Sequence, residues 1–381
     1  MTWEVSFPIK GFATKRKMWT YVILFFVVAA IVVASLWVAG VFGSTTPLSS
    51  FANRELSDDM PELVEDQVPS RWEAPPGSDG QVFHVPVSTN LGRFSHLNDD
   101  LVVYGDKQIF AYRWNQTTWL ETFHEEYDHT PLGVILSASY MLVCTPTEVK
   151  CYARHGQRWD AAGTIDIPDL NGHGILHEDV AYLALEGGGY CVVDMETREV
   201  SAEYPGDEVW CMHVQHGQVL IGTLGGVFDA KDQEMMFEKG CTSMCGTDDL
   251  LFLGNEMEET VDVYSLGEIH PQHLKTIEIP GSQMMLDNVT GFGASVAYVK
   301  DKSALLVSAP YDNAQSPEGG IGVLYHVDSK GAVTPQDVLM SPKPVEQGHF
   351  GITLSTHRNH WLISQDRNQT DQGVCVRIPI A

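Results

Sequence analysis

The feature that most limits how this chain can fold is a unit that returns seven times from Gln81 onward. Each unit is an apolar strand, a turn containing Gly or Asp, and a second apolar strand that often ends on an aromatic residue or Asp. In order the pairs read LVVY with IFAYRW, YMLVCT with VKCYA, VAYLAL with YCVVD, VLIGTL with GVFDA, LLFLG with VDVYS, ALLVSAP with GVLYHV, and WLISQD with VCVRI. Their equivalent points Leu101, Met141, Val180, Val219, Leu250, Leu305 and Trp361 lie 40, 39, 39, 31, 55 and 56 residues apart. No amphipathic helical pattern separates them. This rhythm fits an all-β fold, a β-propeller of about seven four-stranded blades over 81–381. A blade with two apolar faces is unstable alone, and ring closure is what covers every face. The chain ends on VCVRIPIA, a strand without a successor, while Gln81 to Ser88 is a strand without a blade. The N-terminal strand is therefore expected to complete the last blade. Spacing alone leaves six or eight blades, or a β-sandwich, as alternatives.

Ahead of the repeats, residues 18–42 read MWTYVILFFVVAAIVVASLWVAGVF, with no charge. At about 1.5 Å per residue this run crosses a hydrocarbon core of about 30 Å, and it exceeds the h-region of a signal peptide. Trp19, Tyr21 and Trp37 lie toward its ends, where aromatic rings favour the interface. Residues 1–17 carry Lys10, Lys15, Arg16 and Lys17 against Glu4, whereas Glu55, Asp58, Asp59, Glu62, Glu65 and Asp66 follow the span. The positive-inside bias then puts the N-terminus in the cytosol and the rest outside or in a lumen, a type II single-pass arrangement. Residues 43–80, rich in Ser, Pro and acids, read as an extended, self-repelling stalk.

Net charge narrows the partners. The whole chain is −27 at pH 7, and the part beyond the tail holds 19 basic and 49 acidic residues, a net of −30. Nucleic acid is excluded as a partner, because phosphate binding needs a cationic face. Three sequons, at Asn115, Asn288 and Asn368, and all seven cysteines fall on the outer side, where glycans are added and disulfides persist. Candidate pairs are Cys144 with Cys151 across one hairpin, Cys191 with Cys211 between units, and Cys241 with Cys245 locally, with Cys375 left over.

Phe292-Gly293-Ala294-Ser295, then Ala304 to Pro310 and Gly320 to Tyr325, resemble an FG-GAP repeat, the blade type of integrin α-chain propellers. Phe350-Gly351-Ile352-Thr353 with Trp361 to Ser364 resembles a second, degenerate copy, so that 291–326 and 349–378 are the two FG-GAP-like blades. The resemblance implies that Phe292 and Phe350 plug between neighbouring blades. Gly293 and Gly351 would let a strand start tightly, and Ala309-Pro310 would end one. The calcium loop of that family is missing: VKDKSA offers Asp301 among lysines, too few oxygens for the ion.

No chemistry stands out. His173 and His177 with Glu178 and Asp179 contain zinc-type ligands, but NGHGILHED is no helix that would put both imidazoles on one face. His213 and His216 flank a turn, and Asp312, Asn313 and Glu318 read as a solvated loop. Gly187 to Gly189, Gly225-Gly226 and Gly319-Gly320 are hairpin turns that open no helix. No nucleophile motif and no sialidase arginine cluster or box occurs. No cofactor or metal is expected. The sequence points to a membrane-anchored, non-catalytic binding or recognition scaffold for a protein or glycan partner. A structural subunit of a larger membrane or viral assembly, and a hydrolase with a carboxylate site in the channel, are the alternatives.

Overall fold

The paired apolar runs are the second and third strands of seven four-stranded antiparallel sheets. The computed structural model describes residues 81–84, 93–105, 107–266, 271–279, 289–342, 344–366 and 374–380. The tail, the apolar span at 18–42, the stalk, Asn288 and Asn368 lie outside the described residues. Among the described residues no helix is long and apolar enough to cross a membrane.

From the inside outward, the first blade is β2 (Arg93–Leu97), β3 (Asp100–Gly105), β4 (Gln108–Trp114) and β5 (Trp119–Glu126). Five further blades of the same order follow, β6 to β9 over 133–165, β10 to β13 over 170–204, β14 to β17 over 209–237, β18 to β21 over 243–278 and β22 to β25 over 296–340. The seventh is β26 (Leu354–His357), β27 (His360–Gln365) and β28 (Val374–Pro379), with β1 (Gln81–His84) as its fourth strand. β1 pairs antiparallel with β28, from Gln81 opposite Arg377 to His84 opposite Val374, so the N-terminal strand closes the last blade. The fold is thus an all-β propeller of seven four-stranded blades, and the sandwich alternative is excluded.

Alternation along each central strand explains why a ring forms. In β3, Leu101 and Val103 pack toward the seventh blade and Val102 toward the second. In Leu250–Asn255 of the fifth blade, Leu250 and Phe252 face the sixth blade and Leu251 and Leu253 the fourth. Seven apolar clusters result, one at each interface between blades. Phe292 and Phe350, both wholly buried, sit in the clusters between blades five and six and between six and seven. Gly293 has φ 93°, and a Cβ there would meet the Thr260 carbonyl oxygen at 2.6 Å, so no other residue fits where the connection presses on the fifth blade.

The outer strands answer a different demand. β5 is half-buried to exposed throughout, Glu199–Tyr204 of the third blade is mostly exposed, and both carry Glu. Blades one to six each carry a register shift between third and fourth strands, for example at Ala111/Tyr112, Cys151/Tyr152 and Leu324/Tyr325. A bulge and a charged surface both discourage the outer edge from pairing with another chain.

Deleting 81–84 removes four ladder pairs. At roughly 1 kcal/mol per hydrogen bond, the full-length chain should lose about 4 kcal/mol and self-associate through the bared edge of β28. Urea unfolding with size-exclusion chromatography checks this, and unchanged stability would refute closure by β1.

Candidate functional site

The strand order gives the propeller two unlike faces. Turns between first and second and between third and fourth strands emerge on one face; second-to-third turns and blade-to-blade connections emerge on the other. On the first face, where blade seven meets blade one, two two-residue hairpin turns lie together: Asn98-Asp99 between β2 and β3, and Arg358-Asn359 between β26 and β27. Asn98 (φ 55°) and Arg358 (φ 56°) take the left-handed conformation that such tight turns need.

Asp99 joins the two turns. Its Oδ1 accepts from His357 Nε2 at 3.1 Å and from Arg358 Nη2 at 3.1 Å. The hydrogen bond from His357, helped by the Arg358 guanidinium, holds this carboxyl below its ordinary pKa. His357 itself is only 2% exposed. Its ring packs edge-on to His96 at 5.4 Å and to Trp114 at 5.5 Å, and lies 5.0 Å from Trp119. The Arg377 guanidinium lies over Trp114 at 4.3 Å. His96 Nδ1 and Ser355 Oγ are 3.0 Å apart. His96, Leu97, Asn98, Asp99, Thr356, His357 and Arg358 line a cleft of about 540 Å³ between the turns.

Electrostatics here disfavour protons. Burial, and then the neighbouring His357, lower the pKa of His96 to about 4. Burial also lowers His357, against the pull of Asp99. His96 Nε2, His357 Nδ1 and Trp114 Nε1 are buried without a hydrogen-bond partner from the protein. Three such nitrogens at one seam suit a small polar group or water. They do not make a hydrolytic relay. The hydroxyl of Ser355 meets His96 while the carboxylate of Asp99 meets His357, so the three elements of a triad are divided between two imidazoles.

The opposite face is dominated by acid. Asp128, Asp166, Asp169, Glu186, Asp207, Glu208, Glu238, Glu258, Glu318 and Glu346 are exposed on its connections. Among the described residues of these connections the basic side chains are Lys107 and Lys239. Leu224 (48%), Met257 (59%) and Val289 (72%) stand exposed among the acids. The first face instead interleaves Arg198, Lys231, Lys300, Lys302, Lys330 and Arg358 with its carboxylates. One cluster on the acidic face is internally paired: His349 bonds Asp366 at 3.2 Å and lies 3.5 Å from Glu318, and these partners raise its pKa.

The residues singled out in the sequence scatter over the ring. Asn115 is exposed at the tip of the β4–β5 hairpin, where its side chain accepts from the Thr117 and Thr118 backbone amides at 3.1 and 2.8 Å. Ala309 and Pro310 are buried at a strand end, and Gly351 has φ 99°. His173 lies in an irregular stretch of its strand, beside the register shift between Leu170 and Gly174. Among the described residues no group of three His, Cys, Asp or Glu is placed to hold a metal ion.

The proposed cysteine pairings are corrected by the register. Cys144 lies opposite Val149 and Cys151 opposite Leu142, so the two do not face each other. Cys191 lies between blades two and three and Cys211 between four and five. Cys241 packs between blades four and five, but its sequence neighbour Cys245 packs against the interface of five and six. All seven thiols are free. Burial pushes Cys144 and Cys375 up to about 12 and Cys151 and Cys191 to about 11, which leaves them inert at neutral pH.

No protein-family model matches the chain, and no curated protein is significantly similar to it in sequence. The FG-GAP resemblance of 291–326 and 349–378 therefore has no support from a family match. Solved structures are similar in fold. A chain of the mitotic checkpoint complex superposes with TM-score 0.61 at 14% identity, over 87% of this chain and all (100%) of that one. The RRP9 WD40 repeats give 0.59 at 10%, covering 81% and 99%, and the Cps50 (Swd1) propeller domain of Myceliophteria thermophila 0.56 at 13%, covering 78% and 98%. The structural neighbours are thus WD40-type propellers, and at these identities the likeness is one of fold.

The histidines yield a signed expectation. Folded His96 refuses a proton until about pH 4, whereas the unfolded chain takes one near 6.5, so its stabilising contribution is complete above pH 6.5 and is lost as the pH falls toward 4. At pH 5 wild type should have lost about 2 kcal/mol relative to pH 7.5 that His96→Gln does not lose. Urea unfolding at both pH values measures this, and equal losses would remove His96 as the cause.

Proposed function

We propose that this chain is a membrane-anchored, non-catalytic scaffold whose acidic propeller face binds a cationic protein partner. The observation that carries the reading is the composition of that face: acids almost without bases, with Leu224, Met257 and Val289 exposed among them. Exposed apolar side chains ringed by one sign of charge are the makings of a protein interface, in which burial supplies affinity and charge supplies encounter rate and orientation. The WD40-type neighbours support a scaffold, since in this fold recognition is placed on connections held by a rigid ring.

The uncharged run at 18–42 supplies the anchor and the acidic stretch at 43–80 the spacer, with the propeller on the outer or lumenal side. Asn115 is then available to glycosylation at its exposed hairpin tip. In cells that glycosylate secretory proteins, Asn115→Gln should lower the apparent mass by one glycan. Glycosidase treatment before electrophoresis checks this, and no change in either the variant or the treated wild type would overturn the topology.

Binding is tested on the full-length chain extracted natively in mild detergent. Carboxylate-to-amine cross-linking with mass spectrometry should join lysines of a stoichiometric partner to Glu238, Glu258, Glu318 or Glu346, and co-purification should fall as salt is raised. Cross-links confined to the opposite face, or recovery of the chain alone, would overturn the reading.

A further inference from the structure

The fourth and fifth blades meet through two cysteines that the sequence does not pair. Cys211 lies on the innermost strand of the fourth blade (Val209–Gln215), and Cys241 in the connection that leads into the innermost strand of the fifth (Ser243–Gly246). Their sulfurs are 3.6 Å apart. They share an apolar cluster with Leu220, Leu253 and Tyr264. Gly222, opposite Cys211 on the next strand, makes their approach possible: a Cβ there would lie 2.5 Å from Cys211 Sγ and 2.7 Å from Cys241 Sγ. The backbone around Cys241 is fixed as well, since its amide donates to the Thr223 carbonyl at 2.9 Å and that of Thr242 to the Gly254 carbonyl at 2.7 Å. Two sulfurs in contact, on separately anchored backbones and over a residue without a side chain, are a built pair.

We infer that Cys211 and Cys241 form a cystine that staples the fourth blade to the fifth, made by exchange with a small-molecule disulfide of the glutathione class. Cys241 is fully buried and Cys211 is partly exposed, which sets the order of events. The Cys211 thiol loses its proton and attacks the small disulfide; one sulfur–sulfur bond breaks, a mixed disulfide forms and one glutathione thiolate leaves. The Cys241 thiolate then attacks the Cys211 sulfur and expels the second glutathione. Two protein thiols are oxidised, one glutathione disulfide is reduced to two thiols, and the two protons pass to the leaving thiolates. The neighbouring Cys241 sulfur, and then burial, raise the pKa of Cys211, so exchange in the finished fold is slow. Once made, the bond is shielded from reductants by the surrounding apolar cluster. It shortens the unfolded chain's free loop between the two blades and so stabilises the ring.

The test uses the full-length chain in detergent, incubated with oxidised glutathione, then acid-quenched and alkylated with iodoacetamide under denaturing conditions. A non-reducing digest should yield one peptide pair joined through Cys211 and Cys241, two hydrogens lighter than the free peptides combined. Cys245→Ala should keep this pair and Cys211→Ala should lack it. Reduction should lower the melting temperature of wild type and of Cys245→Ala by several degrees. Alkylation of both cysteines, separate glutathione adducts, or a bond from Cys241 to Cys245 would each overturn the proposal, and the wild-type digest alone decides it if a variant does not fold.

Discussion

Each blade of this protein has two apolar faces, and burying both is the constraint from which the rest of the structure follows. The alternation that sends Leu101 and Val103 one way and Val102 the other commits every sheet to a neighbour on each side. An open row of such sheets would leave one apolar face of the first and one of the last in water. Burying a side chain of the Leu or Phe class is worth about 1.5 to 3 kcal/mol, and a whole face carries several, so closure outweighs any local preference of a single strand. Because the ring closes, the innermost strands turn their free edges inward and only the outer strands present theirs outward, where Glu-bearing surfaces and repeated bulges keep them from pairing.

Topology then sorts chemistry between the two faces. Two-residue turns such as Asn98-Asp99 and Arg358-Asn359 leave little chain on the first face, and its carboxylates are interspersed with bases. The other face receives the connections that carry the chain from one sheet to the next and the second-to-third turns, of which the stretch from Pro310 to Gly320 is a long one. Chain freed from the strand ladder can hold residues that a sheet would not tolerate, and here these are acids with a few exposed apolar tips. Among the described residues, acid is therefore least compensated on that one surface.

The central strands were legible from sequence because they are buried on both sides and read as unbroken apolar runs. The seven units and the closing role of Gln81 onward followed from that. First and fourth strands were not, since RFSHL, EVSAEY or PQHLKTIE combine half-buried and exposed positions with no sustained alternation. The seam site was invisible for another reason: His96 in RFSHLNDD and His357 in STHRNH are commonplace alone, and only ring closure makes neighbours of residues about 260 positions apart. The cysteines failed similarly. Proximity in sequence suggested Cys241 with Cys245, but Cys241 lies in the connection entering the fifth blade and packs on the fourth, Cys245 on the strand packs toward the sixth, and the sulfur in contact with Cys241 is that of Cys211.

The closing blade is also where covalent continuity is weakest. Its β1 belongs to the chain that leads into blade one, while β26, β27 and β28 are continuous with blade six. Opening the ring there separates β1 from β28 and, in the same event, the turn at Asp99 from the turn at Arg358. The hydrogen bonds of Asp99 to His357 and Arg358 and of His96 to Ser355 thus guard the same boundary as the β1–β28 ladder. At the other six boundaries a peptide connection crosses between complete sheets. At this one the fourth strand is on loan from the opposite side, and the polar contacts of the seam supply a second bond across it. Protonating His96 costs the burial of a charge and repulsion from His357 while the ladder is untouched, so the seam and the ladder are separable causes of ring closure.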